Sequence, residues 1–422
     1  MKKEPLFYGY IVAAASLCVM AVTWGANRTF GIVLGPMLAE FSWTRAEISG
    51  AVTLNMIVMG TMALVAGRLT DRYGPRAIIM IGALFSGLSY IFASRITSLW
   101  QLYLFYGIIS GIGLSSAWAP PMSVISRWFW KRKALMSGIV IAGPALGIAI
   151  IPLLFSSLMA TWGWRFSYVI LGLFVIVTVA AAAFFLRGSP GEIGLFPYGA
   201  DPTDSNCNDL QTEGISLMES SRTLAFWLLL LISFCNEVLV GVITVHIVIH
   251  ATGLGIPMTA AAGVLSAAAG VSIPGRIIMG GVADRIGHKP ALIICFGTSV
   301  IAFLLLLSTD ALWMLYLFAV LFGGGLWTAG SIRAPLIADL FGLKSHGTIF
   351  ACTVLASAIG GAVGPIIAGL LFDIYGSYQI TFIMCIGISL IGIIATIPLQ
   401  PFRQDNGMSI TNCPTLSDSA ER

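Results

Sequence analysis

The stretch GRLTDRYGPR, residues 67–76, stands between two long apolar segments, and it returns in altered form as GGVADRIGHK, residues 280–289. Glycine, aspartate, arginine, glycine and a basic residue recur at the same spacing. Asp284 follows Asp71 by 213 positions, the difference between 284 and 71, which is close to half of the 422 residues. We call this offset the repeat interval. A repeat at such a period predicts two structurally equivalent halves.

The overall composition identifies the class of protein. A hydrophobic content of 58% and a mean hydropathy of +0.94 leave too little polar surface to cover a soluble globular protein. The apolar runs are long enough for helices that cross a bilayer core of about 30 Å. Barrel strands would instead alternate polar and apolar residues over about ten positions. The sequence therefore predicts an all-α membrane protein.

The apolar runs number twelve, so we predict twelve transmembrane helices in two six-helix pseudo-repeats. The first six predicted spans are residues 7–38, 46–66, 77–95, 99–126, 134–160 and 164–187. The second six are residues 223–249, 257–282, 290–308, 311–337, 346–371 and 376–399.

These spans divide the chain into an N-terminal half at residues 1–187 and a C-terminal half at residues 223–399. The segment 188–222 between them is polar, contains three prolines and has more acidic than basic residues. We predict that it is a cytoplasmic linker. The polar tail at residues 400–422 is predicted to be cytoplasmic and disordered.

Basic residues in the short loops predict the orientation. With the N-terminus inside the cell, most lysines and arginines fall on the cytoplasmic side, and the outer loops hold only Arg45, Arg95 and Arg165. We therefore predict a multi-pass protein of the cell membrane, with both termini in the cytoplasm. The first apolar run is too long for a cleaved signal peptide, so it is predicted to be the first span.

Several classes of site and partner are not expected. The net charge of +4 reflects the loop asymmetry and needs no nucleic acid to explain it. The seven cysteines are scattered singly, so they predict neither a disulfide framework nor a metal site, and we expect no cofactor. The four histidines form no H-E-x-x-H motif, and we expect no enzymatic activity.

The repeated loop resembles the signature loop of the major facilitator superfamily, G-x-x-x-D-R-x-G-x-[RK]. Both copies fall between the second and third span of their half. Its positions in this chain are Gly67, Asp71, Arg72, Gly74 and Arg76, and then Gly280, Asp284, Arg285, Gly287 and Lys289. The resemblance implies a transporter whose halves rock about a central site.

The chemistry of the signature loop suggests a gate. An aspartate near helix ends can accept hydrogen bonds from backbone N–H groups, and it can pair with an arginine of the other half when the cytoplasmic side is closed. The alternative is that these charges only anchor the loop in the cytoplasm. Gly-Pro pairs at residues 143–144 and 364–365 predict either hinges or close helix packing in the fifth and eleventh spans.

Ionisable residues inside spans are candidates for the transported species, because a charge in the membrane is costly unless it is paired or functional. Arg276 lies eight residues before Asp284, which places it about 12 Å from the loop along a helix. A guanidinium matches a carboxylate in a planar fork, so an organic anion is the expected partner. The alternative is a structural ion pair with Glu237.

Proton coupling has two candidates in the seventh span. Glu237 lies about fifteen residues into it, and burial disfavours the charged form of a carboxyl group, so Glu237 could take up a proton or serve as a structural acid. His246 near the outer end could titrate or be only solvated. Arg28 could attract anions to the cavity or extend to the lipid headgroups. Arg333 is predicted to be a gate or interface charge.

A closer resemblance is carried by Arg276, by WFWKRKALMSGIVIAG at residues 128–143 and by RTFGIVL at residues 28–34. These stretches are similar to the monocarboxylate transporter family and its bacterial oxalate:formate exchanger relatives. The resemblance implies proton-linked movement of lactate-like or pyruvate-like anions, with Arg276 holding the carboxylate and Arg28 assisting. The other predicted substrate-binding residues are Trp118, Asn55, Cys352 and Thr353.

Three positions depart from the pattern of those families. Ser272 replaces an Asp of animal members, and Gly253 stands where relatives often have Asp. Thr353 aligns with a Lys of the oxalate exchangers, so one carboxylate is expected in the substrate rather than two. We expect a monomeric secondary transporter of small organic anions, most simply a proton symporter, with anion exchange and a non-transporting membrane sensor as the alternatives.

Overall fold

The structure is a computed structural model, and it describes residues 7–41, 43–199, 214–309 and 311–400. The predicted disordered tail from residue 401, the middle of the predicted linker and both predicted cytoplasmic termini lie outside the described residues.

The described residues form twelve long helices. In the N-terminal half these are α1 (Tyr8–Glu40), α2 (Arg45–Tyr73), α3 (Pro75–Ala93), α4 (Leu99–Trp128), and α5 and α6, which share the continuous stretch Lys133–Phe185. In the C-terminal half they are α7 (Leu224–Gly253), α8 (Met258–Ile286), α9 (His288–Leu307), α10 (Leu312–Phe341), α11 (His346–Tyr375) and α12 (Gln379–Thr396). The predicted all-α fold of two six-helix halves is confirmed.

The boundary between α5 and α6 lies at Gly163. The stretch Lys133–Phe185 has 53 residues, about 80 Å at helical rise, which is far longer than one bilayer crossing. Gly163 has φ 74° and ψ 164°, a conformation that is nearly restricted to glycine. It reverses the chain, so that α5 covers residues 133–162 and α6 covers residues 164–185, as the spacing of the apolar runs predicts.

The fourth helix of each half is interrupted at an equivalent position. In α4 the helix stops at Ser115 and resumes at Ala119. In α10 it stops at Gly324 and resumes at Gly330 after a short 3-10 turn. Ser116 and Ala329, which lie in these breaks, are separated by the repeat interval. The internal symmetry therefore extends to backbone irregularities.

Glycines let the Gly-Pro helices pack closely against the first helix of each half. A Cβ atom at Gly147 of α5 would collide with the carbonyl of Ala21 in α1. A Cβ atom at Gly360 of α11 would collide with the carbonyl of Phe234 in α7. Both members of the second pair follow those of the first by the repeat interval. The contacts agree with close packing, and the hinge remains a prediction.

The described ends of the predicted linker are attached to the C-terminal ends of α4 and α10. The N–H of Tyr198 donates to the carbonyl of Trp128 at 2.9 Å, and the N–H of Ile215 donates to the carbonyl of Phe341 at 3.1 Å. Trp128 and Phe341 are again separated by the repeat interval. The linker thus joins equivalent points of the two halves.

Candidate functional site

The two signature aspartates cap helices of the opposite half. Asp71 in α2 accepts hydrogen bonds from the backbone N–H groups of Gly347 (3.1 Å) and Thr348 (2.9 Å) at the start of α11. Asp284 in α8 accepts from the N–H groups of Ala134 and Leu135 at the start of α5, both at 2.9 Å. These N–H groups have no partner within their own helix, and the positive end of the helix dipole favours a carboxylate there.

The capping contacts obey the sequence repeat. Gly347 follows Ala134 by the repeat interval, and Thr348 follows Leu135 in the same way. Each half therefore presents a carboxylate from its second helix to the fifth helix of the other half. The side of the molecule that carries the two signature loops is closed by this two-fold arrangement.

The first signature glycine of each loop brings the halves into backbone contact. A Cβ atom at Gly67 would collide with the carbonyl oxygen of Gly347, and one at Gly280 would collide with that of Ala134. We call the contact between the halves along α2 with α11 and along α5 with α8 the seam. Any side chain at these two glycines would force the seam apart.

The remaining signature residues shape and anchor the loops. Gly74 (φ 83°, ψ 161°) and Gly287 (φ 94°, ψ 154°) have the same glycine-specific conformation between consecutive helices. Arg76 stacks over Phe184 at the end of α6, and the Lys289 ammonium donates to the carbonyl of Leu399 beyond α12, at 3.1 Å. Both basic residues thus tie the loop to the last helix of its own half. Arg72, stacked on Tyr73, and Arg285 are exposed.

The cationic partner of each gate aspartate comes from its own half. The Arg127 guanidinium lies 3.4 Å from Asp71. For Asp284 the partner is His288, whose Nε2 lies 3.8 Å from the carboxylate and whose Nδ1 lies 2.5 Å from Asp339. An arginine from the other half is the partner expected from the sequence, but the bonds across the seam come from backbone N–H groups and, on Asp71, also from the hydroxyl of Thr348 at 2.8 Å.

Arg276 lies at the seam itself. Its Nη1 donates to the carbonyl of Ile141 in α5, at 2.8 Å, and its own carbonyl would collide with a Cβ atom at Gly138. Ile141 belongs to the turn before Pro144, where the proline disturbs the helical hydrogen bonding. The Nε of Arg276 is buried and has no hydrogen-bond partner in the described structure. The Nε–H of Arg276 is therefore a donor left unsatisfied among the described residues.

Glu237 pairs with an arginine other than Arg276. The closest Glu237 carboxylate oxygen lies 3.7 Å from Nη2 of Arg333 in α10, whose Nη1 donates to the hydroxyl of Ser357 in α11 at 2.9 Å. Arg276 also acts on Glu237 through its charge. We call Arg276, Glu237 and Arg333 the charge cluster. It joins three helices of the C-terminal half, α7, α8 and α10.

Sequence reasoning missed the position of Arg333. Arg333 precedes Asp339 by six residues, so it lies about 9 Å from Asp339 along the helix. Its side chain is only 13% exposed. An arginine in the middle of an apolar segment was the available signal, but its nearness to Asp339 suggested a gate charge.

His246 is held between two helices. Its Nδ1 lies 3.0 Å from the hydroxyl of Tyr378, and its Nε2 lies 3.0 Å from the carbonyl of Pro365 in α11. A neutral imidazole satisfies both contacts, because one nitrogen accepts from the hydroxyl and the other donates to the carbonyl. His246 therefore connects α7 to α11 and has a structural role.

Asn55 is fully buried within the N-terminal half. Its Oδ1 accepts from the amide of Asn27 at 3.3 Å, and its own amide donates to the carbonyl of Tyr106 at 2.9 Å. The hydroxyl of Tyr106 in turn donates to the carbonyl of Asn27. The network connects α1, α2 and α4 and occupies the polar groups with which Asn55 would bind a substrate.

The other predicted residues lie apart from the charge cluster. Arg28 is exposed, with its guanidinium 5.8 Å from the ring centre of Trp24, and that ring contacts Trp118 edge to face. Thr353 is buried with its hydroxyl bonded to the carbonyl of Phe350, whereas Cys352 is half-buried. The structure therefore brings Arg276 within electrostatic range of Glu237, without an ion pair between them, and places Arg28 and Trp118 on either side of Trp24 in the other half.

The chain is similar to known proteins over most of its length. The family model of the Major Facilitator Superfamily matches residues 14–307 and 227–407. Curated relatives include monocarboxylate transporter 11 of Mus musculus, 26% identical over 90% of this chain and 84% of its own length, and monocarboxylate transporter 13 of Bos taurus, 26% identical over 93% and 89%. The predicted resemblance to monocarboxylate transporters is confirmed.

Solved structures share the fold. A proton:xylose symporter, XylE, superimposes with a TM-score of 0.74 at 13% identity, covering 93% of this chain and 96% of its own. A Major Facilitator Superfamily transporter, FucP, in the outward conformation gives a TM-score of 0.68 at 15% identity, covering 92% of this chain and 99% of its own. At these identities the likeness concerns the fold alone.

Proposed function

This chain belongs to the Major Facilitator Superfamily, and from that premise we propose that it carries small organic anions across the cell membrane, preferring monocarboxylates such as lactate or pyruvate. It is a multi-pass membrane protein and a secondary transporter, not an enzyme. The proposal includes a proton as the coupled ion, cytoplasmic termini and a monomeric protein. The names of the curated relatives support a monocarboxylate substrate.

One observation supports an anion as the substrate. Arg276 lies at the seam, bonded through one nitrogen to a backbone carbonyl of the other half, while its Nε has no partner among the described residues. The nearby acid, Glu237, pairs instead with Arg333. The positive charge of Arg276 is therefore not neutralised by direct pairing, and a carboxylate is the ligand that fits its remaining donors.

The expected interaction energy between Arg276 and a carboxylate is suited to transport. A carboxylate 4 Å from a guanidinium gains about 4 kcal/mol at an effective dielectric constant of about 20. Such an interaction offsets part of the desolvation of the anion and still permits release. Because Arg276 also contacts Ile141 across the seam, an anion that engages the guanidinium would compete with a contact between the halves.

For proton coupling we propose Glu237 rather than His246. Glu237 is 34% exposed in its side chain, and it lies in the charge cluster, where an incoming anion would change its electrostatic surroundings. Both nitrogens of His246 already have partners outside that cluster. The anion would bind while Glu237 is ionised. Its negative charge would then favour protonation of Glu237, and this order couples the two movements.

We call the contacts of Asp71 and Asp284 with the opposite half the gate. Opening of this gate is the cytoplasmic step of the proposed transport cycle. With Asp71 and Asp284 capping the opposite half, the cytoplasmic side is closed, and an anion would reach Arg276 from the outer side. Breaking both sets of bonds would let the halves rock and open the site to the cytoplasm. The sequence repeat makes the two sets equivalent, so they are expected to open together.

The test is uptake of labelled lactate into proteoliposomes containing the purified protein, with and without an imposed pH gradient. Accumulation driven by the pH gradient supports proton symport. Counterflow without a response to pH indicates anion exchange of the oxalate:formate type. Absence of flux for a series of organic anions, with the protein shown to be folded, would contradict the proposal and favour a sensor.

Glu237→Gln separates binding from coupling. The variant should retain lactate counterflow, because Arg276 is intact, and it should lose accumulation driven by the pH gradient. Glu40→Gln is a matched control, because Glu40 is also paired with an arginine, Arg165, but at the outer surface of the N-terminal half. An unchanged pH response in Glu237→Gln would remove Glu237 from the coupling mechanism.

A further inference from the structure

Arg333 is a second cation beside the proposed anion site, and it is occupied by an acid of the protein itself. One of its nitrogens lies 3.7 Å from Glu237, and the other donates to Ser357. The next residue, Ala358, contacts Gly60 of the other half, so this part of α11 belongs to the seam. Arg333 is thus close to the surface along which the halves separate.

The pairing of Glu237 with Arg333 is an ion pair without a direct hydrogen bond. At 3.7 Å the separation exceeds the range of about 2.7–2.9 Å for a charge-assisted hydrogen bond. The Glu237 side chain is 34% exposed, whereas that of Arg333 is 13% exposed. Glu237 is therefore the more accessible member of the ion pair, and Arg333 is the more buried one.

Without the Glu237 carboxylate beside it, Arg333 would be a strong anion-binding residue. Arg333 lines a small cavity in which most of the other lining residues are apolar, among them Leu229, Ile232 and Leu336, and two, Ser233 and Asn236, are polar. Such surroundings strengthen electrostatic interactions relative to water. Ser357 fixes one edge of the guanidinium and leaves the Glu237 side for a second carboxylate-like group.

Charge balance then relates Glu237 to the valence of the substrate. Arg276 and Arg333 contribute two positive charges and Glu237 one negative charge, so the charge cluster carries a net charge of +1. A single carboxylate neutralises it. With Glu237 neutral, the net charge becomes +2, which a dicarboxylate matches. The sequence alone suggests too few cations for two carboxylates. The structure supplies a second cation, Arg333, which is already paired with Glu237.

We propose that Arg333 is a second carboxylate-binding residue, and that Glu237 determines the preference for monocarboxylates by occupying it in place of a substrate carboxylate. This inference rests on the proposed function, because it assumes that Arg276 binds the first carboxylate. Glu237 acts as an internal counterpart of the second carboxylate of a dicarboxylate, and it excludes such substrates by repulsion and by competition for Arg333.

The experiment compares counterflow of labelled lactate, oxalate, malonate and succinate in proteoliposomes containing the wild type, Glu237→Gln or Glu40→Gln. The three dicarboxylates differ in the separation of their carboxylates and so sample the distance between the two arginines. We expect Glu237→Gln to raise the ratio of dicarboxylate to lactate counterflow by at least about tenfold for one of them, equivalent to about 1.4 kcal/mol. Glu40→Gln should leave the ratio unchanged.

A charge-rescue pair tests the same claim independently. Arg333→Gln leaves Glu237 beside Arg276 with a net charge of zero, so lactate counterflow should fall by about tenfold or more. Arg333→Gln combined with Glu237→Gln restores a net charge of +1, and lactate counterflow should return without any gain for dicarboxylates. If Glu237→Gln is not recovered as a folded protein, this double variant still decides the question.

The outcomes separate the two proposals. Wild-type protein that carries no organic anion contradicts the proposed function. Wild-type protein that carries lactate, together with a folded Glu237→Gln variant whose selectivity is unchanged, overturns only the inference about Arg333. A double variant that gains dicarboxylate counterflow would also overturn it, because Arg333 would then not be the second site.

Discussion

The carboxylate of Asp284 accepts a hydrogen bond of 2.9 Å from the backbone N–H of Ala134, a residue in the other half of the molecule. Asp71 has the equivalent relationship to Gly347. We expect Asp284→Asn to weaken cytoplasmic closure, because hydrogen bonds to charged groups contribute about 1.5–3 kcal/mol each. Ala351→Cys, in a background without native cysteines, is a suitable reporter because Ala351 is fully buried at the seam beside Gly67.

In inside-out vesicles, Asp284→Asn should raise the labelling rate of this cysteine by a membrane-impermeant maleimide by about tenfold or more. Asp71→Asn should have a similar effect. The control is Asp373→Asn, an exposed aspartate elsewhere on α11. Equal labelling rates in Asp284→Asn and in the control would show that the capping bonds do not hold the gate closed.

Gly280→Ala should also prevent closure, for a steric reason. The added Cβ atom would collide with the carbonyl oxygen of Ala134, whereas at the neighbouring Gly281 it would lie 3.8 Å from the nearest atom, in Leu135. Gly280→Ala is therefore expected to increase cytoplasmic labelling of the same reporter, and Gly281→Ala is the matched control. The same labelling rate for both variants would contradict a close contact at Gly280.

Arg276→Ala should abolish anion binding. If the whole interaction of about 4 kcal/mol is lost, affinity falls about a thousandfold. Arg276→Lys keeps the charge but loses the planar fork, so an intermediate affinity is expected. Lactate counterflow measures both, with Arg95→Ala, an exposed residue of an outer loop, as the control. Normal counterflow in folded Arg276→Ala protein would remove the central residue of the proposed site.

Gly163→Ala should lower thermal stability. The conformation at Gly163, φ 74° and ψ 164°, costs a residue with a side chain about 1–3 kcal/mol, although no atom lies within 4 Å of the added Cβ. Gly297→Ala in α9 also meets open space, but there the backbone is helical, so it should be neutral or stabilising. Thermal unfolding followed by tryptophan fluorescence compares the two variants. A Gly163→Ala Tm equal to that of Gly297→Ala would contradict the prediction.

His246→Gln should leave proton coupling intact. A glutamine amide can donate to the carbonyl of Pro365 and accept from the hydroxyl of Tyr378, which replaces the two contacts of the imidazole. Accumulation of lactate driven by a pH gradient should therefore persist. Its loss in a variant that still performs counterflow would assign the proton to His246 instead of Glu237.

Much of the architecture could be predicted from the sequence. The apolar runs identified twelve helices, including the division of the 53-residue stretch at Gly163, and the signature loops appeared at equivalent places in both halves. These features depend on hydropathy and on local backbone preferences, which are properties of neighbouring residues. They are accessible without knowledge of the tertiary structure.

The partners of the charged residues could not be predicted in the same way. From the sequence, an ion pair between Arg276 and Glu237 is the alternative to an organic anion as the partner of Arg276, and the structure pairs Glu237 with Arg333 on a different helix, α10. An arginine of the opposite half was expected on Asp71, and the structure gives Arg127 of the same half. Asn55 was expected to bind substrate, and its amide is bonded to groups of its own half.

The sequence by itself determined the class of protein, the number of helices and the repeat interval that relates the halves. Only the tertiary structure decided that Glu237 pairs with Arg333 and that each signature aspartate caps a helix of the other half. The physical reason is that membrane insertion depends on the summed hydrophobicity of each segment. Ion pairs and helix caps depend instead on the rotation and approach of helices that are distant in the chain.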